Sequence, residues 1–272
     1  MELAGYIASL GVGVALGLVG SGGSILTVPI LVYIFNIDVV LATSYSLFIV
    51  GMTSAIGAIS YFVKGLVNVR IALLFGTPSV VAVFLTRSYI VPAIPPDLFT
   101  IGSLLVTKSL FILVLFAILM IATSLSMIKS TRDDNVIKKT TSKTPPSRKH
   151  QHYILILVEG TVVGILTGLV GAGGGFLIIP ALVLLGHLPM KEAVGTSLAI
   201  ITAKSLIGFL GEGSGTPIDW QFLLTLTGLS SVGIFIGFHV ARKVSGEKLK
   251  PLFGWFVLIL GLYILIKEIF YT

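Results

Sequence analysis

A glycine-rich segment occurs twice in this chain at a fixed spacing. Gly17-Leu18-Val19-Gly20-Ser21-Gly22-Gly23-Ser24-Ile25-Leu26-Thr27-Val28-Pro29-Ile30-Leu31 returns as Gly168-Leu169-Val170-Gly171-Ala172-Gly173-Gly174-Gly175-Phe176-Leu177-Ile178-Ile179-Pro180-Ala181-Leu182, with an offset of 151 throughout. Glycine runs weaken a helix and an internal proline interrupts one. Neither segment is therefore expected to continue as an unbroken helix. The same offset carries Ala42 to Ala193, Ser46-Leu47 to Ser197-Leu198, Ser54 to Ser205, Gly57 to Gly208 and Asn68 to Asp219. A duplication this long makes the chain two copies of one structural unit, each containing a broken helical element.

The medium around those elements is hydrocarbon. Of the 272 residues 55% are hydrophobic and 11% charged, where soluble domains carry about a quarter charged residues. Val39 to Val63, Ser109 to Ile128, Ala193 to Gly211 (interrupted by Lys204) and Trp220 to Ala241 are long enough to cross a bilayer, which takes about 20 apolar residues. Met1-Glu2 lacks the basic start of a removable signal peptide, so none is expected. The formal charge of +7 collects in a central linker and a few short loops, as membrane topology requires, and it does not call for nucleic acid. With no cysteine, thiolate metal sites and disulfides are excluded.

The expected fold is all-α and polytopic. A first membrane repeat covers 1–128, a basic cytoplasmic linker 129–152, and a second repeat 153–272. The linker, rich in Lys, Ser and Thr and ending near Pro145-Pro146, reads as largely disordered. Each repeat is a Gly-broken re-entrant or discontinuous element followed by three helices, at about 4–35, 39–63, 68–86 and 104–128, then 153–185, 190–211, 218–241 and 250–268. If the broken element crosses once, the halves are parallel; if it dips in and returns, they are inverted. With the linker inside, the parallel arrangement puts ten of the 18 Lys and Arg on the cytoplasmic side, whereas the inverted one puts fourteen there. The positive-inside rule favours inversion. The arm from Ser24 to Phe35 is ~18 Å as an α-helix, which brings each glycine tip to about mid-bilayer.

Chemistry is expected at those tips. Gly22, Gly23 and Ser24, with Gly173, Gly174 and Gly175, would leave amides free at the start of a half-helix, whose dipole favours an anion. The competing reading is close packing by small residues. Ser44 and Ser46, and their counterparts around Thr196 and Ser197, could donate to an oxyanion, although such hydroxyls commonly bond their own helix. Lys204 lies about 14 residues from Met190, so ~21 Å into a span. A cation so deep reads as a counter-charge to an anion, against snorkelling toward Glu212. Its repeat mate is Thr53. Glu159 is a weak candidate for proton coupling. No metal spacing, nucleophile triad or P-loop is present, so no cofactor is expected.

In these features the chain resembles the TauE/SafE family of sulfite and organosulfonate exporters. The matching parts are the two G-x-x-G-x-G-G-G-x-hydrophobic-x-x-P segments, Gly195-Thr196-Ser197-Leu198 and Ile218-Asp219-Trp220. The first copy departs at Ser24, at Ser44-Tyr45-Ser46 and at Asn68-Val69-Arg70. The resemblance implies a multi-pass protein of a prokaryotic plasma membrane, not an enzyme, that exports sulfite or a sulfonated anion by alternating access. The expected partners are a small anionic substrate and the lipid bilayer, with no nucleic acid, and a homodimer by analogy only. The alternatives are a gated anion channel and a membrane scaffold with a vestigial site.

Overall fold

The computed structural model describes residues 2–101, 104–137, 149–184, 186, 188–211, 218–241 and 246–270. The first half opens with α1 (Glu2–Val19), a 3-10 segment (Gly20–Leu26) and α2 (Thr27–Tyr33). It continues with α3 (Val39–Val63), α4 (Val69–Leu85), a π-helical turn (Thr86–Ile90), α5 (Val91–Ala93), strands β1 (Asp97–Ile101) and β2 (Leu104–Thr107), and α6 (Lys108–Ile137). The second half has α7 (Lys149–Val170), α8 (Gly175–Leu184), α9 (Met190–Leu210), α10 (Trp220–Ala241) and α11 (Gly246–Phe270). The protein is a polytopic all-α membrane protein. Among the described residues five helical stretches are long and apolar enough to cross a bilayer: Val39–Val63, Val69–Ala93, Lys108–Leu125, Met190–Leu210 and Trp220–Ala241.

Helix starts follow local chemistry, and the repeat preserves it. The Asp38 carboxylate accepts from the amides of Val40 and Leu41 at the head of α3. The Asn68 side chain accepts from Ile71 N, and its mate Asp219 accepts from Phe222 N. These are ordinary N-caps. The starts of α3 and α9, and of α4 and α10, all differ by the repeat offset of 151.

Packing crosses between the halves. Helix α1 lies along α10, and α7 along α4; α3 lies along α9 and α6 along α11, while the 3-10 segment packs on α8. Each pairing maps onto another, or onto itself, when the copies are exchanged. The α1–α10 seam is made by Gly13 against Ser230 and Gly17 against Ile234 and Gly237. Its counterpart sets Gly164 against Ser79 and Ala82, and Gly168 against Val83 and Thr86. Rising residue numbers on both sides make these pairs parallel. By contrast, α3 and α9 run antiparallel: Leu47 meets Gly208, Gly51 meets Leu206, Gly57 meets Leu198 and Tyr61 meets Gly195. Around the broken elements Ile25, Val28, Phe116, Met120, Val170, Ala172, Val257 and Ile264 form one apolar core.

Three features differ from expectation. The helix expected to end near 86 continues through the π-turn to Ala93, stops at Ile94-Pro95-Pro96, and is followed by the β1–β2 hairpin. Proline removes the amide that a further turn would need. Part of the linker is also helical: residues 129–137 extend α6 and 149–152 begin α7, while 138–148 lie outside the described residues, as does 212–217.

The third difference concerns the tips. Helix α1 has 18 residues, ~27 Å at 1.5 Å per residue. The returning arm is longer than an α-helix would make it, because its seven 3-10 residues rise about 2.0 Å each. A Cβ on Gly20 would meet Val194, and one on Gly171 would meet Thr43. Both partners are fifth residues of the opposite half's second helix. Since α3 and α9 are antiparallel, the two tips pass one another and the hairpins overlap side by side instead of meeting end to end.

Candidate functional site

The second hairpin turns through three left-handed residues. Gly171, Gly173 and Gly174 have φ of +72°, +63° and +64°, a conformation that costs a residue with a side chain about 1–2 kcal/mol. A side chain is also excluded sterically. At Gly173 a Cβ would fall 2.6 Å from Val50 and 3.4 Å from the Ser205 hydroxyl; at Gly174 it would meet Thr167 and lie 2.8 Å from Lys204 Nζ. Directly after this turn α8 begins at Gly175.

Lys204 is completely buried. Its Nζ donates to Thr167 Oγ1 at 3.1 Å, so the side chain points from α9 into the second hairpin and does not snorkel outward. Beside it Ser205 is also fully buried, and its hydroxyl has no hydrogen-bond partner among the described residues. Three elements thus converge at one place: the end of α7, the start of α8 and the middle of α9.

The first hairpin is not a copy of this. Only Gly20 is left-handed there, at φ +73°, and the chain continues as a 3-10 helix. Gly22 lies within that segment, Gly23 packs against the backbone of Ala15 and Leu16, and Ser24 is fully buried. Thr53, the mate of Lys204, donates to the Ile49 carbonyl at 2.7 Å.

The helix hydroxyls divide between two roles. Thr196 Oγ1 accepts the Asn68 amide at 2.9 Å, and its mate Tyr45 accepts the Asp219 amide at 2.8 Å through its hydroxyl. Both anchor the loop before a helix of the other half. Ser197 donates to Val194 O within its own helix. Ser46 and Ser54 are buried with no hydroxyl partner among the described residues. Ser44 donates to Val40 O at 3.0 Å and also accepts from Arg87 Nη1 at 3.4 Å.

Arg87 was not expected here. It sits in the π-turn, only 1% exposed, and a helix taken to stop near 86 leaves it in a loop. The readable signal was the apolar run Val69–Ala93, in which Arg70 and Arg87 are the only charges. π-turns recur at functional positions because they turn a side chain out of helical register. Among the described residues, Arg87 and Lys204 are the only charged side chains in the buried class. Glu159 is half-buried on α7, with Oε2 lacking a hydrogen-bond partner among the described residues. It stands eight residues before Thr167, ~12 Å along the helix.

A family model described as Sulfite exporter TauE/SafE matches residues 6–264. A probable membrane transporter protein of Xylella fastidiosa (strain 9a5c) is 30% identical over 261 residues, covering 93% of this chain and 91% of that protein. The probable membrane transporter protein YunE of Bacillus subtilis (strain 168) is 26% identical, covering 93% of each chain. YjnA of the same organism, likewise named a probable membrane transporter protein, is 24% identical over 96% of this chain and 99% of its own. No solved structure matches the chain.

Proposed function

We propose that this chain, which belongs to the TauE/SafE family of membrane transporters, is a secondary carrier exporting sulfite or a sulfonated organic anion by alternating access around its two Gly-broken elements. The observation that carries this reading is Lys204: a fully buried cation at the turn where α8 begins. A buried charge without compensation is costly. An anion lodged between Lys204 and the Gly173–Gly175 turn would offset that cost and would gain from the dipole of α8. Gly22, Gly23, Ser24, Ser44, Ser46, Thr196 and Ser197 are proposed to line the rest of the solute's path instead of the Lys204 pocket itself, with Thr196 acting through the loop that it anchors.

Inversion of the two halves is part of the proposal, and antiparallel packing of α3 on α9 supports it. Equivalent neighbouring helices run antiparallel when the axis relating them lies in the membrane plane. Such an arrangement lets one conformation become its opposite when the halves exchange shapes, which is the basis of alternating access.

Purified protein in proteoliposomes should show saturable counterflow of sulfite or a sulfonate. In a thermal-melt screen against sulfite, sulfate, thiosulfate, taurine and sulfoacetate, a true ligand at a hundred times its Kd should stabilise by about 2.7 kcal/mol. Lys204→Ala should remove both responses. Flux without saturation would favour a channel, and a Lys204→Ala protein with intact counterflow would defeat the proposal.

A further inference from the structure

We infer that Ser205 is a direct contact for the transported solute: its hydroxyl donates to an oxygen of the anion that Lys204 neutralises, and so favours an oxyanion over a halide. This rests on the carrier reading above and deepens it with a residue that sets specificity.

The inference starts at the second turn. Lys204 and Ser205 are neighbours on α9, and they oppose neighbours on the hairpin. A Cβ on Gly173 would lie 3.4 Å from Ser205 Oγ, and one on Gly174 would lie 2.8 Å from Lys204 Nζ. Ser205 is fully buried, and its hydroxyl has no hydrogen-bond partner among the described residues. A helix hydroxyl ordinarily avoids that state by donating to its own preceding turn. On the same helix Ser197 donates to Val194 O and Thr202 to Leu198 O, each at 2.8 Å. Ser205 makes no such bond, although leaving a buried donor unmade is costly.

The repeat argues against an accident of packing. Three serine pairs stand at the offset of 151: Ser46 with Ser197, Ser54 with Ser205, and Ser79 with Ser230. Ser197 and Ser230 have carbonyl partners, the latter Ser9 O at 3.0 Å. Only at Ser54 and Ser205 do both copies keep a buried hydroxyl with no partner among the described residues. Only the second copy sets it beside a cation, because Thr53 stands where Lys204 does. Lys204 supplies charge, to which any small anion responds. A hydroxyl adds direction, since it rewards an acceptor oxygen at about 2.5–3.0 Å along the O–H bond. A sulfite or sulfonate head held by one oxygen on Lys204 has a second oxygen for Ser205. A halide on the same ammonium has no second atom to offer.

The competing explanation is a structural water bridging Ser205 to the backbone. It predicts that Ser205→Ala melts lower and keeps its solute affinity. The test measures thermal stabilisation of the purified protein by sulfite, methanesulfonate and bromide. Wild-type protein should respond to the two oxyanions at lower concentration than to bromide. Ser205→Ala should raise their half-saturating concentrations about tenfold or more. The bromide value should change little, and the unliganded variant should melt no lower than wild type. Ser205→Cys, similar in shape but a weak donor, should fall between the two. Thr202→Val, whose hydroxyl is already engaged, should leave all three values unchanged. If Ser205→Ala fails to fold, Ser205→Cys decides by the same comparison. Oxyanion affinity that stays at the wild-type value overturns this inference and leaves the carrier reading, which Lys204→Ala tests separately. No response of wild-type protein to any anion removes both.

Discussion

Gly174 carries two constraints at one atom. Its φ of +64° strains any side chain, and a Cβ there would collide with Thr167 and approach Lys204 Nζ. Gly65 shares the backbone geometry, at φ +67°, but a Cβ there meets nothing within 4 Å. Gly65→Ala should therefore cost only the backbone strain, about 1–2 kcal/mol. Gly174→Ala should cost that plus overpacking, about 1–3 kcal/mol more. Melting curves of the two purified variants measure the difference, and equal losses would mean that the Lys204 pocket has room to spare. Thr167→Val keeps the shape but removes the acceptor of a charged donor. The loss expected is about 1.5–3 kcal/mol, with transport reduced alongside. At this scale the sequence was readable where a residue stood out from its surroundings. Lys204 did, as the one cation deep in an apolar run. Arg87 did not, because its significance depends on a π-turn that no local residue preference announces.

Among elements, the parallel seams are the least obvious part of the design. Gly13, Gly17, Gly233 and Gly237 bring the α1 and α10 backbones into direct contact, while Gly160, Gly164 and Gly168 do the same for α7 on α4. Small residues four apart are the usual means of close approach where lipid supplies no hydrophobic drive. Gly17→Leu and Gly164→Leu should each force a seam apart and lower folded yield sharply. Gly11→Leu and Gly228→Leu, where a Cβ meets nothing within 4 Å, should be tolerated. Fluorescence-detected size exclusion reads this directly, and similar profiles for all four would refute the seam. The spacing of four is visible in the chain at Gly13 and Gly17, at Gly160, Gly164 and Gly168, and at Gly233 and Gly237, whereas the helix that each pair faces is not. Thr196 has a role that sequence does not announce: its hydroxyl oxygen accepts the amide of Asn68, because a loop amide beside a buried helix must find a partner. Tyr45 does the same for Asp219, and Tyr45→Phe should cost about 1 kcal/mol or somewhat more.

For the molecule as a whole, the duplication, the helix count per half and the membrane setting were all legible, since hydropathy and a constant offset need no tertiary contact to be read. The depth of the hairpins was not. It shows only in which residue of the opposite half each tip meets, Val194 for Gly20 and Thr43 for Gly171. Antiparallel packing of α3 on α9 has a sharp consequence for membrane topology. Lys64 follows α3 and Lys191 opens α9, and both are exposed. If the halves are inverted, these two residues face the cytoplasm together, whereas Asp38 and Asp97, also exposed, face the opposite side. If the halves are parallel, Lys64 and Lys191 lie on opposite sides. The absence of cysteine from the chain gives such a measurement no background. Single Lys64→Cys, Lys191→Cys, Asp38→Cys and Asp97→Cys variants in intact cells, treated with a membrane-impermeant maleimide, should label only at 38 and 97. After permeabilisation all four should label. Labelling of Lys191→Cys from outside while Lys64→Cys stays protected would make the halves parallel. An exchange of shapes between them could then no longer carry a solute from one face to the other.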